Sequence, residues 1–186
     1  MNTLLHFLEN AVFYLFSLKA LDHILFLTVF GMVFQLREWK GLLLLWCALA
    51  VGFTISLFLA AYGVINFNYG LTRLLLASCI FLGAFTGLIH KGQSTPNALR
   101  YNLTVLMGLI QGLGFAIRYK SIAKVNFLSL LGFDLGLWIA SLLIILLALC
   151  LSSLIILAFR TNRRDFNLIF SGIGLGVALV LLFIRY

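Results

Sequence analysis

Charged residues are scarce in this chain. Only 13 basic and 5 acidic side chains occur in 186 residues, so that charged residues make up 10% of the sequence, against about a quarter in a typical soluble domain. So few charges cannot cover the surface of a soluble domain of this size, which excludes a water-soluble enzyme and a disordered tail. The 63% apolar content instead indicates an integral membrane protein with several spans.

Proline and cysteine are also rare. The single proline, Pro96, lies in the loop KGQSTPNALR and is the clearest turn signal. The three cysteines, Cys47, Cys79 and Cys150, lie in separate apolar segments without a CxxC or metal-binding spacing, so we interpret them as buried thiols. The formal charge of +8 includes no basic run longer than RTNRR. We therefore expect the basic residues to contact lipid headgroups, and we expect no nucleic-acid partner.

Catalytic motifs are missing as well. The sequence has no rhomboid-type GxSG followed by a histidine, no GxGD aspartyl motif, no HExxH and no P-loop. No Ser–His or Asp–Asp set falls at matched depth in the apolar segments. We therefore expect a protein that is not an enzyme.

The long apolar runs predict an all-α integral membrane protein, a six-span transmembrane helix bundle that forms one domain over residues 1–186. Barrel strands would alternate with a period of two, whereas these runs are continuous and fit helices. Residues 3–18, interrupted by His6, Glu9 and Asn10, predict an N-terminal interfacial amphipathic helix or, alternatively, a tilted first span. The six predicted spans cover about residues 21–36, 41–63, 71–90, 102–117, 132–159 and 168–184.

Glycines recur in pairs four residues apart within the predicted spans. Such a pair leaves one helix face smooth, so that the backbone of a neighbouring helix can approach closely. A tightly packed bundle is one consequence, and a dimer interface through one pair is the alternative. The pairs are Gly83/Gly87, Gly108/Gly112, Gly132/Gly136 and Gly172/Gly176.

Asp22 and His23 are the strongest candidate site, because ionisable groups inside spans are costly and often functional. A carboxylate and an imidazole suit a divalent cation such as Ni²⁺, Co²⁺ or Zn²⁺. Neighbouring helical residues point about 100° apart, so both can bind one ion directly only if the helix breaks there. Alternatively, His23 packs at the membrane interface while Asp22 caps its helix.

Four further residues are candidates for a polar lining inside the bundle, namely Thr54, Ser56, Gln111 and Asp134. Gln111 lies near the middle of the fourth predicted span and needs hydrogen-bond partners, which Thr54 and Ser56 at similar depth can supply. Asp134 can pair with a basic residue such as Arg73 or cap its own helix. For Gln111, a hydrogen bond that joins two helices is the structural interpretation, and a polar pathway is the functional one.

Four stretches of the chain, in order, resemble motifs of the HupE/UreJ family of small membrane proteins. KALDHILFL resembles the family's D-H-x-L-F-L signature, and VGFTISLFLAAYG resembles a run that usually reads V-G-H-S/T-x-S/T-L. GLIQGLGFA is similar to G-L-x-H-G-x-G-F. LLGFDLGLWIASL is similar to a run that has Asn or Asp, then G-V-E, then G-Q. The four stretches are Lys19–Leu27, Val51–Gly63, Gly108–Ala116 and Leu130–Leu142.

The resemblance implies a multi-pass protein of the bacterial inner membrane that transports divalent metal, nickel or cobalt, past intramembrane histidines and acids. Asp22 and His23 match the first motif. Phe53 and Gln111, however, occupy positions where the motifs have histidine, and Trp138 lies near the position of the glutamate. Phenylalanine and tryptophan cannot ligate a metal, and an amide oxygen is a poor ligand for Ni²⁺.

Two functional expectations follow from this mixture of matches and departures. The first is a divergent permease that transports Ni²⁺ or Co²⁺ and carries no resident cofactor. The second is a non-transporting membrane scaffold or a subunit of a larger membrane protein complex. Besides the lipid bilayer, the expected partner is another membrane protein or a further copy of the chain. The retained Asp22 and His23 favour the first, and Arg73, at a position where the third span would often begin with glutamate, favours the second.

Overall fold

A computed structural model describes residues 3–34, 36–66, 68–89, 98–122 and 124–185, and these residues are almost entirely helical. The described ranges contain seven α-helices and no strand. Short 3-10 turns at Leu18–Ala20 and Leu36–Glu38 lead into the second and third α-helices. The α-helices are α1 (Thr3–Leu15), α2 (Leu21–Met32), α3 (Trp39–Ala61), α4 (Tyr69–Ile89), α5 (Ala98–Ile122), α6 (Phe127–Phe159) and α7 (Arg163–Arg185).

Four helical segments are long and apolar enough to cross a membrane, namely Leu36–Ala61, Tyr69–Leu88, Phe127–Phe159 and Arg163–Ile184. A fifth span is present only if Leu4–Leu15 and Leu18–Met32, which meet at a bend of 71°, cross the membrane together. The described residues therefore provide four or five candidate spans, and the predicted count of six is not confirmed. The third predicted span ends at His90, which lies outside the described residues together with Pro96 and its loop.

Helix α5 contains the fourth predicted span but is not among the candidate spans, although it has 25 residues. Asn102, Gln111 and Arg118 lower its apolar content. It packs along α3 and also contacts α4. Because other helices cover part of its surface, α5 does not need to be apolar all round.

Helix α1 packs along α6, while α4 packs along α7. Ala11 and Leu15 of α1 are fully buried, at 0% exposure. Close contact with α6 depends on Gly136, where a Cβ atom would stand 2.7 Å from the Cβ atom of Ala11. One face of α1 is thus held inside the bundle, and the predicted interfacial placement of this helix is not confirmed.

Helices α3 and α5 pack with almost no side chain between their backbones. A Cβ atom on Gly52 would stand 3.1 Å from the Cα atom of Gly108, and one on Gly108 would overlap the carbonyl oxygen of Leu49. A Cβ atom on Gly112 would likewise stand only 2.8 Å from the Cα atom of Phe53. Only glycine permits so close an approach. By contrast, Gly172 and Gly176 of α7 have no atom in their Cβ directions within 4 Å.

An ion pair joins the start of α7 to the turn before α3. The Nη2 atom of Arg163 donates to Oε2 of Glu38 at 2.8 Å and to the carbonyl oxygen of Val33 at 2.9 Å. The two side chains are only 16% and 9% exposed. Arg163 therefore ties α7 to the chain that links α2 with α3.

Replacement of Gly108 by alanine should destabilise the protein, because the added methyl group would overlap the Leu49 carbonyl oxygen. Overpacking of this kind costs about 1–3 kcal/mol. Gly172→Ala is the matched control, since its Cβ atom would meet nothing within 4 Å and alanine favours helix. Titration of the purified protein in detergent with SDS, followed by circular dichroism, gives both free energies of unfolding. Equal values for the two variants would contradict the close α3–α5 contact.

Candidate functional site

An open cavity of about 520 Å³ lies where α2 and α4 begin and α5 ends. Asp22 and His23, the two residues of the predicted metal site, both line it. Further polar and charged side chains in its wall are Tyr14, Lys19, Tyr69, Thr72, Arg73, Arg118 and Ser121. The fold therefore places the predicted pair in the wall of one open cavity.

His23 forms the inner part of this cavity and is positioned by α5. Its side chain is 3% exposed, and its ring stacks on that of Phe115 with the centroids 4.1 Å apart. Its Nδ1–H group donates to Oε1 of Gln111. A carbonyl oxygen can only accept, so this bond fixes the proton on Nδ1 and leaves a lone pair on Nε2.

The Nε2 atom of His23 lies beside Gly114. A Cβ atom at Gly114 would stand 2.9 Å from Nε2 and 2.8 Å from Cε1, and Gly114 itself lines the cavity. The absence of a side chain at this position thus leaves room for the ring edge that carries the lone pair. A neutral imidazole with one nitrogen held by an oxygen and the other facing a cavity can bind a metal ion or accept a proton.

Gln111 contacts His23 rather than the expected partners, Thr54 and Ser56. It is 2% exposed, and among the described residues its Nε2 atom has no hydrogen-bond partner. Gln111 of α5 is thus bonded to the histidine of another helix, α2.

Asp22 lies in the first turn of α2 and is half-buried. The helix is unbroken from Leu21 to Met32, so the carboxylate and the imidazole leave it in different directions. Both nonetheless border the same cavity, because the cavity is wide. A negative side chain in a first turn also interacts favourably with the helix dipole.

Thr54 and Asp134 meet between α3 and α6. The Thr54 hydroxyl lies 3.0 Å from each carboxylate oxygen of Asp134, and Nε1 of Trp138 donates to the Thr54 hydroxyl at 3.0 Å. Asp134 is only 7% exposed. The partner of this carboxylate is therefore a hydroxyl group, rather than the basic residue expected from the sequence.

The hydroxyl of Ser56 donates to the carbonyl oxygen of Phe53 in its own helix at 3.3 Å. Thr54, Ser56, Gln111 and Asp134 are not among the residues that line the 520 Å³ cavity. Their predicted role as a polar lining stays a prediction. The structure brings Gln111 to His23, pairs Thr54 with Asp134 and leaves Ser56 to bond locally.

Sequence reasoning missed a row of aromatic rings behind His23. Phe115 contacts Phe53 edge to face at 5.7 Å, Phe53 contacts Trp138 at 6.4 Å, and Trp138 contacts Trp46 at 5.6 Å between ring centroids. Phe53 and Trp138 are the residues that the resemblance set at and near expected ligand positions. The aromatic residue types at these positions were the available signal, and the structure shows that the rings pack against one another.

The described residues contain no group of three or more His, Cys, Asp or Glu side chains that could hold a metal ion. A metal ion in the cavity would therefore find one imidazole, one carboxylate and neutral oxygen atoms. Such a set binds more weakly than the three or four protein ligands of a structural or catalytic metal site.

The long apolar helices and the polar cavity between them define an integral membrane protein of the helical-bundle class. The family model described as HupE / UreJ protein matches residues 2–185, nearly the whole chain. The chain therefore belongs to the HupE/UreJ family, which is associated with nickel and cobalt transport. Searches of curated proteins and of solved structures gave no match.

The contact between His23 and Gln111 predicts energetic coupling between these residues. Gln111→Leu and His23→Leu should each destabilise the protein, since each leaves a buried polar group of the other residue without its partner, at about 1–3 kcal/mol. The double variant should be less destabilised than the sum of the two, as expected for residues in direct contact. Free energies of unfolding in detergent measure the coupling.

Ser152 supplies the control for this cycle, because its hydroxyl bonds the Leu149 carbonyl oxygen of its own helix. The effects of His23→Leu and Ser152→Ala should add. A coupling energy of zero between His23 and Gln111 would show that the two residues do not interact.

Proposed function

We propose that this protein is a divalent-metal permease of the bacterial inner membrane, and that Ni²⁺ or Co²⁺ approaches through the cavity at Asp22 and His23. Family membership supports the class of substrate. One observation supports the residues: His23 lines the cavity with its Nε2 edge beside Gly114, which also lines it, while Gln111 bonds Nδ1. Imidazole nitrogen is a preferred ligand of both ions.

The proposed site is a weak one. His23 supplies one nitrogen ligand, and Asp22 supplies a carboxylate nearer the cavity mouth. Lys19, Arg73 and Arg118 line the same cavity and oppose the approach of a bare dication. Weak binding is compatible with transport, since a permease has to release its substrate.

A non-transporting scaffold or complex subunit is the second candidate function. The aromatic row supports it, because Phe53 and Trp138 replace ligands by packing contacts. The indole N–H groups of this row are already bonded, that of Trp138 to the Thr54 hydroxyl and that of Trp46 to the Ser141 hydroxyl. In this case, the family's bundle would be kept while its metal path is lost.

Replacement of His23 by alanine should weaken Ni²⁺ and Co²⁺ binding, because it removes the imidazole that lines the cavity. Calorimetric titration of the purified protein in detergent should show saturable binding in the micromolar range. For His23→Ala, we expect the affinity to fall at least tenfold, which corresponds to about 1.4 kcal/mol. Metal uptake into proteoliposomes should be lost in the same variant.

Cys79→Ser is the control, since Cys79 is fully buried in α4 and does not line the cavity. Its metal binding should equal that of the unaltered protein. If His23→Ala binds metal as well as Cys79→Ser does, the assignment of the site is wrong. If the unaltered protein shows no saturable binding, the scaffold function replaces the permease.

A further inference from the structure

The mouth of the 520 Å³ cavity carries a cationic rim formed by Lys19, Arg73 and Arg118. Lys19 comes from the turn before α2, Arg73 from the start of α4 and Arg118 from the end of α5. Asp22 is the acidic residue among those that line the same cavity. With three basic groups and one acidic group, the wall carries a net charge of two positive units when all four are ionised.

Aromatic rings hold the two guanidinium groups of the rim. The Cζ atom of Arg118 lies 5.1 Å from the ring centre of Tyr14, and that of Arg73 lies 5.5 Å from the ring centre of Tyr69. Such cation–π contacts favour the charged side chain at that place. They also restrict the planes of the guanidinium groups without using their N–H donors.

Arg118 keeps hydrogen-bond capacity for a ligand. Its Nη1 atom makes one long hydrogen bond, of 3.4 Å, to the Ser121 hydroxyl. Its Nε atom is buried and has no hydrogen-bond partner among the described residues. A guanidinium group has five N–H donors, and a buried donor without a partner is unfavourable. A ligand oxygen would satisfy it.

Three cations that converge from separate elements repel one another, and the repulsion is stronger beside hydrocarbon than in water. Asp22 compensates for one of them. An anion with about two negative charges would compensate for the rest, and guanidinium groups match the oxygen atoms of phosphate and carboxylate. A phosphate group offers oxygen atoms in several directions, which suits donors that come from three sides better than a planar carboxylate does.

We propose that the cationic rim binds a phosphate group, either as inorganic phosphate or as the headgroup of an anionic lipid. The site lies at the cavity mouth, whereas the proposed metal ligand His23 lies at its inner end. Phosphate binding therefore does not require a metal ion, and it can be measured without one.

The first experiment uses inorganic phosphate. Sodium phosphate is titrated into the full chain in dodecylmaltoside with EDTA present, and binding is followed by calorimetry. We expect saturable binding that weakens as the ionic strength rises. Arg118→Gln should lower the affinity at least tenfold. Lys19→Gln should also lower it, and this exposed residue can change without loss of the fold.

Lys120→Gln is the matched control, because Lys120 is exposed on the same helix as Arg118 but does not line the cavity. Its phosphate affinity should be unchanged. If Lys120→Gln weakens binding as much as Lys19→Gln and Arg118→Gln do, a diffuse charge effect replaces the site. Absence of saturable binding to both phosphate and lipid would also overturn the proposal.

The second experiment distinguishes the two sources of the phosphate group. Native mass spectrometry compares retention of phosphatidic acid with retention of phosphatidylcholine. Preferential retention of phosphatidic acid that is lost in Arg118→Gln but kept in Lys120→Gln would identify the lipid headgroup. Phosphate binding without this lipid preference would identify the soluble anion. Both results are independent of Ni²⁺ binding at His23, so failure of one proposal leaves the other testable.

Discussion

The backbone contact between α3 and α5 is the constraint on which the site depends. Gly52, Gly108 and Gly112 let the two helices approach so closely that even a methyl group would separate them. This contact sets the height and rotation of α5 and thereby brings Gln111 to His23 on α2. Gly114, further along the same helix, leaves space for the imidazole edge that faces the cavity. One helix therefore supplies both the group that orients His23 and the space in which its free nitrogen lies.

The chemistry of the cavity changes from its inner end to its mouth. At the inner end, a neutral imidazole is held between Phe115 and Gln111, and aromatic rings lie behind it. At the mouth, basic side chains from three elements face one carboxylate. A bare cation meets like charges before it reaches the imidazole, whereas an anion is attracted first. The chain thus combines a motif that resembles one of the HupE/UreJ family with three basic side chains in the wall of the same cavity.

The sequence predicted the helical membrane class and the family, and both are confirmed. It did not predict the arrangement of the spans. The sequence separated residues 3–18 from the span that follows, and the structure has a helix break there, but hydropathy carries no information on the 71° angle of that bend. Hydropathy is also a poor guide to helix α5, which contains a predicted span but is too polar to be a candidate span by apolar content. The measure of apolar content assumes that lipid surrounds a helix, whereas Gln111 of α5 is buried and bonds His23 of α2 inside the bundle.

From the sequence alone, the chain could be assigned to the all-helical membrane proteins and to the HupE/UreJ family, and Asp22 and His23 could be predicted as metal ligands. Composition and motifs suffice for that, because they depend on residue types and local spacing. Only the tertiary structure decided which polar groups meet. Gln111 bonds His23, Thr54 bonds Asp134, and Lys19, Arg73 and Arg118 converge on one cavity. These residues are far apart in the chain, and the packing of the helices alone sets the distances between them.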